Sequence, residues 1–118
     1  MAKEIKAAIS LSVKTGLGTS ADKSDSKTID MAGTHITHNV QDVGAGGAEA
    51  LVEGADLGTP GIYYIKNLDG ANYVSIGLSG QYSIKLKPGE FCLFRAAAAI
   101  YALANTASCK VEYMVIED

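Results

Sequence analysis

The stretch Gly61–Leu78, GIYYIKNLDGANYVSIGL, decides the fold class. Its first arm is dense in Ile and Tyr, side chains that favour strands over helices. Asp69-Gly70 is then a hairpin signal, because Gly tolerates the positive φ that tight primed turns demand. Asn72–Leu78 reads as the returning strand. The same grammar continues downstream. Gly77–Gln81 turns the chain, and Tyr82, Ile84 and Leu86 then alternate with Ser83, Lys85 and Lys87, the period of a strand with one wet face. Pro88-Gly89 suits a type II turn, with Pro fixing φ at the second position and Gly supplying positive φ at the third. Glu90–Phe94 reads as a short buried strand.

Upstream, Ile5, Ala7, Ile9, Leu11 and Val13 alternate with Lys6, Ser10, Ser12 and Lys14, Ala8 being the exception. Period two over ten residues predicts a strand with one face to be buried. Gly16–Lys27 is polar and turn-rich and reads as a long loop. Thr28–Met31 and Thr34–Val43 are β-rich. Gly44–Gly47 breaks the chain, Ala48–Glu53 fits a strand or one helical turn, and Gly54–Gly61 is a second break.

The alanine run Arg95–Asn105 favours a helix by propensity alone. It carries no clear cap and lies between short strands, so it predicts a loop or turn of helix leading into a strand near Ile100–Ala104. In Cys109–Glu117, Val111, Tyr113 and Val115 share one face, and Met114 and Ile116 make the other apolar as well. A strand apolar on both faces wants cover on both, and in a small domain a second subunit can supply it. The whole chain, 1–118, reads as one all-β domain: an antiparallel β-sandwich or jelly roll of about eight short strands, with an extended N-terminal strand and loop.

Composition narrows the function. The chain has 118 residues, 19% of them charged, and a net charge of −3. No basic excess exists to condense on phosphate, which argues against nucleic acid as a partner. The N-terminus lacks the apolar run of a secretion signal, and no window approaches the roughly 20 apolar residues of a membrane helix. The expected setting is a cytoplasm, with no membrane partner. Cys92 and Cys109 are too few for a disulfide framework or a four-ligand zinc site. Both read as small core residues, with a bridge between neighbouring strands as the alternative.

No constellation for chemistry assembles. His35 and His38 lie three apart in a β-rich segment, where odd spacing sends them to opposite faces. The segment also lacks the His-x-His spacing of cupins. Ser79 sits in Gly-Leu-Ser-Gly, which is not a nucleophile elbow. The Gly16–Gly18 and Gly44–Gly47 pieces have no phosphate-loop pattern. Glu49, Glu53 and Asp56, like Asp22 and Asp25, read as loop charge. No residue is assigned a catalytic, cofactor-binding or metal-ligating role, and no cofactor is expected. The six tyrosines, in a chain without Trp, offer apolar area with a polar tip and suit partner contacts. The candidates for such contacts are Tyr63, Tyr73, Tyr82, Met114 and Ile116.

Four pieces of the second half carry a resemblance: Tyr63–Leu68 (YYIKNL), Asn72–Gly77 (NYVSIG), Leu86–Phe91 (LKPGEF), and Ala102–Thr106 with Val111-Glu112-Tyr113. Together these resemble small virion proteins of tailed bacteriophages, over roughly residues 61–117. The resemblance implies a non-enzymatic β-sandwich protein of the phage particle, assembled in the host cytoplasm. Its first form is a capsid decoration (cement) protein, a homotrimer that binds the major capsid protein lattice and stabilises the head. A tail or fibre component is the alternative. From the residues alone, a carbohydrate-binding sandwich using exposed Tyr and a cupin-like metalloenzyme are the competing classes.

Overall fold

The computed structural model describes residues 4–18 and 20–118. Among them are ten strands and no helix. The chain divides into two compact units, Met1–Ala32 and Gly33–Asp118.

The first unit is a hairpin of β1 (Ile5–Lys14) and β2 (Ser20–Ile29), antiparallel through ten register pairs from Ile5↔Ile29 to Lys14↔Ser20 without a bulge. Here the sequence expectation is corrected. Most of the polar segment read as a loop over Gly16–Lys27 is strand. Only its start turns, with Gly18 at φ +84°; Thr19 and Met1–Lys3 lie outside the described residues. The segment's own propensity is poor, but β1 offers a complete backbone ladder. Ser12 donates to Asp22 across it, and Ser24 donates to Ser10. Backbone pairing therefore outweighs side-chain preference, which is weak and context-dependent in sheets.

The second unit holds eight strands: β3 (Ile36–Val43), β4 (Glu49–Ala50), β5 (Pro60–Asn67), β6 (Val74–Leu78), β7 (Gln81–Leu86), β8 (Phe91–Arg95), β9 (Tyr101–Ala104) and β10 (Cys109–Glu117). They form two four-stranded sheets, ordered β3-β10-β5-β8 and β4-β9-β6-β7, with every pairing antiparallel. One apolar core joins them. The first sheet contributes Val43, Tyr63, Ile65, Val111, Tyr113 and Val115, and the second Val74, Ile76, Leu86 and Ala102. Ala102 and Ala104 are buried, so the small side chains of the alanine run let β9 approach the other layer closely. The strand expected near Ile100–Ala104 is present as β9. No turn of helix precedes it.

The expected Asp69-Gly70 hairpin does not form. Strand β5 pairs with β10 and β8, whereas β6 pairs with β7 and β9. The turn carries the chain from one sheet to the other. The reason is Asn67, fully buried at the end of β5. Its Nδ2 donates to the carbonyls of Asn72 and Leu86, and its Oδ1 accepts the Asp69 N–H. Asp69 Oδ2 in turn accepts the N–H groups of Ala71 and Asn72, which holds its carboxyl below the usual carboxylate range. These bonds divert the chain before a tight hairpin can close. The Lys87–Glu90 turn has the expected type II form: Glu90 N–H reaches Lys87 O at 3.0 Å, and Gly89 has φ +80°. It too crosses between sheets, and Gly89 N–H donates to Asn67 O. The hairpin of the second unit's inner meander is instead β6–β7. There Gly77 sits at a register shift, and a Cβ would strike the Gln81 carbonyl.

Glu117 ties down the chain where it enters β3 and β5. Its carboxylate accepts the N–H groups of Thr34 at 2.7 Å, His35 at 3.1 Å and Gly58 at 2.7 Å. The Gly58, Thr34 and His35 bonds hold its carboxyl down at about 2. A carboxylate paired only in the folded state stabilises that state when ionised.

Two outcomes follow from these anchors. Asn67→Leu strands two buried carbonyls and one amide, and should cost about 2–4 kcal/mol in chemical denaturation. For Glu117, the folded value lies below the ordinary 4.5, so its contribution is complete above pH 4.5 and fades as pH falls towards 2. Urea midpoints of the parent and Glu117→Gln should therefore differ most at neutral pH and converge near pH 2.

Candidate interaction surface

Because side chains alternate along a strand, the registers fix what the outer face of the β3-β10-β5-β8 sheet displays. The first row across the strands is Ile36–Ile116–Ile62–Arg95. The second is His38–Met114–Tyr64–Leu93, and the third Val40–Glu112–Lys66–Phe91. Eight apolar side chains thus lie side by side on the face turned away from the core. Ile62 is buried among its neighbours, while Ile36 is 57% exposed, Val40 49%, Phe91 66% and Leu93 40%. Tyr64 and Phe91 rings meet at 6.4 Å between centroids. A contiguous apolar face of this kind marks a contact surface far more often than scattered apolar residues do.

Charge enters the face at Glu112 and Lys66 in the third row and at Arg95 at the end of the first. His38 Nε2 pairs with Glu112 Oε2 at 2.8 Å, Lys110 with Asp42 at 2.9 Å, and Arg95 with Asp118 at 2.8 Å. Lys110 and Arg95 thus have carboxylate partners, and Glu112 has the His38 ring as a hydrogen-bond partner. An apolar patch bordered by polar groups is the usual anatomy of a protein–protein interface. Desolvation pushes the Tyr64 phenol up, and the Glu112 carboxylate adds to it, so the hydroxyl stays a neutral donor and acceptor.

The structure sorts the candidate contact residues. Met114 and Ile116 stand in the middle of the apolar rows, half-buried by their neighbours. Tyr63 is corrected: it is fully buried, stacks on Phe94 at 5.8 Å and donates to Glu53. It faces the core because it is offset by one residue from Tyr64, and it offers nothing to a partner. Tyr73 and Tyr82 are half-buried on the other sheet's side of the molecule. Lys85 Nζ lies 4.2 Å from the Tyr73 ring centroid, and Tyr82 OH accepts the Gly80 N–H at 3.0 Å. Neither joins the apolar rows.

Sequence reasoning missed Ile36, Val40, Tyr64, Phe91 and Leu93. It also took Glu90–Phe94 for a buried strand. Strand β8 is an edge of its sheet, with Cys92 and Phe94 packed on the core and Phe91 and Leu93 facing outward. The signal was there: Phe91–Phe94 is apolar on both strand faces, as Val111–Ile116 is.

The other constellations have structural employment. His35 Nδ1 lies 3.6 Å from Glu117 while His38 meets Glu112, so the two rings serve different carboxylates. Glu53 accepts from Tyr63, and Glu49 accepts the Gly44 N–H at 2.6 Å. Cys92 and Cys109 are free thiols. Burial pushes the Cys92 thiol up to about 11, and that of Cys109 upward as well, which makes both poor nucleophiles. An open groove of about 350 Å³ runs between the β6–β7 turn and the end of β8, bordered by Leu78, Ile84, Phe94 and Ile100. Its ionisable side chain, Arg95, is the one paired with Asp118. The arrangement suits binding through shape and apolar area.

Searches against protein-family models, curated proteins and solved structures returned no match for this chain.

Proposed function

We propose that this chain is a non-enzymatic structural protein of a tailed-phage particle, most simply a capsid decoration protein that binds the lattice of the major capsid protein. The observation that carries the reading is the apolar outer face of the β3-β10-β5-β8 sheet. Counted within the second unit, the sheet orders are 1-8-3-6 and 2-7-4-5. That order supports a jelly roll, an architecture used in viral shells as well as in lectins and cupins. The resemblance over residues 61–117 favours the virion among these.

Decoration asks for many weak apolar contacts spread over a flat sheet rather than one deep pocket. Binding only the assembled shell then stabilises that shell by mass action. Copies of the chain and the lattice together supply the cover that Met114 and Ile116 lack within one chain.

Co-expression with the major capsid protein of the particle that this chain is proposed to join, followed by gradient sedimentation, tests the reading. The chain should co-migrate with assembled shells. Phe91→Lys with Leu93→Lys should weaken that association at least tenfold while shifting stability by only about 0.5 kcal/mol, since both residues are on the surface. Assembled shells that leave the chain at the top of the gradient would refute it.

A further inference from the structure

We infer that β1 is a self-pairing strand, and that two copies of this chain join through it into one continuous four-stranded sheet, β2-β1-β1-β2. The inference stands apart from the reading of the outer sheet face, because it concerns only the first unit.

The first observation is an open ladder. The hairpin is a two-stranded sheet, so β1 is an edge along its whole length. Isolated hairpins are marginal in water and gain stability from further strands. Unmatched edges are normally blunted by a bulge, a proline or central charges. The centre of β1, Ala7 to Val13, has none of these. Strand β2 is different: Asp22, Lys23, Asp25 and Lys27 decorate it. The second observation is the apolar row of β1. Ile9 is 55% exposed, Leu11 63% and Val13 44%.

The third observation names the occupant. To keep the odd-numbered apolar row on one face, a two-fold axis must pass through a residue rather than between residues. For a strand spanning 5–14, the axes that overlap it almost fully pass through Ile9 or Ser10. An axis through Ser10 sets Lys6 against Lys14 of the other copy, a like-charge pair made twice. An axis through Ile9 sets Ile9 on Ile9, Leu11 on Ala7 and Val13 on Ile5. Lys14 of each copy then stands opposite Glu4 of the other, on the face away from the apolar row. Glu4 precedes β1 and gives one oxygen to the Met31 N–H at 3.2 Å, leaving the second oxygen for the ammonium. Among the described residues Lys14 has no ion-pair partner. Matched apolar rows and two reciprocal charge pairs favour a second copy over an unrelated strand. Pairing β1 with β2 of a neighbour instead would crowd Lys23, Asp25 and Lys27 on both sides of the apolar row. The elementary contact is therefore a two-fold dimer, in place of the trimer expected from the sequence.

Sedimentation equilibrium and a charge exchange test this on the full chain. The parent should weigh twice 12.2 kDa. Lys14→Glu sets a carboxylate against Glu4 of the other copy, and should raise the dimer dissociation constant about tenfold; Glu4→Lys should do the same with two ammonium groups. Mixing the two variants sets opposite charges at both ends of the pairing, whereas each self-dimer has like charges at both, so native mass spectrometry should show the mixed dimer in preference to either self-dimer. Ile9→Cys, which lies on the axis, should cross-link to itself under mild oxidation, because facing Cα atoms in an antiparallel pair are close enough for a disulfide. A parent chain that is monomeric at about 100 µM overturns the inference. So does an oligomer indifferent to Lys14→Glu, or a mixture with no preference for the mixed dimer.

Discussion

Strand β10 must be covered on two sides, and most of the second unit follows from that. It lies between β3 and β5 in the middle of its sheet. Cys109, Val111, Tyr113 and Val115 point inward and are essentially without solvent contact. Each such side chain contributes about 1.5–3 kcal/mol by leaving water, so the second sheet has to close over them. Met114 and Ile116 point the other way. Within the chain, flanking residues of β3 and β5 shield them only partly, and the outer face is left apolar.

Polar groups decide how the strands are connected. Asn67 is buried with three side-chain bonds, two to the β5–β6 connection and one to the end of β7, and it keeps β5 and β6 from pairing. Tyr113 donates to Val52 O at 2.6 Å, and Gln41 holds Ala50 O and the Val52 N–H at 3.0 Å each. These bonds seat the irregular segment after β4 on the core. A buried polar atom that has found its partner leaves little freedom to the chain around it, because every alternative path would leave that atom unsatisfied.

The apolar sheet face and the open β1 edge belong to different units, yet they pose the same physical problem. Each presents surface or backbone that water covers poorly, and neither converges ionisable groups on a point. The paired charges around the sheet face and the Glu4 and Lys14 ends of β1 bear on which partners fit, since electrostatics tunes specificity more than affinity.

Strand period two is a local property, so β1, β7 and β10 were legible in the sequence, as was the Pro88-Gly89 turn with its positive-φ glycine. The doubly apolar pattern of Val111–Ile116 also announced the second apolar face of β10, where Met114 and Ile116 stand half-buried. Pairing is not local. Whether Asp69-Gly70 closes a hairpin or crosses between layers depends on Asn67 reaching Leu86, nineteen residues on. Whether Ser20–Ile29 is loop or strand depends on the ladder that β1 offers. Likewise, Phe91 and Leu93 become surface only because β8 is an edge, and they join Met114 and Tyr64 only because β5 lies between β8 and β10. The order of residues dictated which side of each strand is apolar. Which strands became neighbours was settled only in the folded chain, because a backbone hydrogen bond takes any partner that the side-chain packing brings within reach.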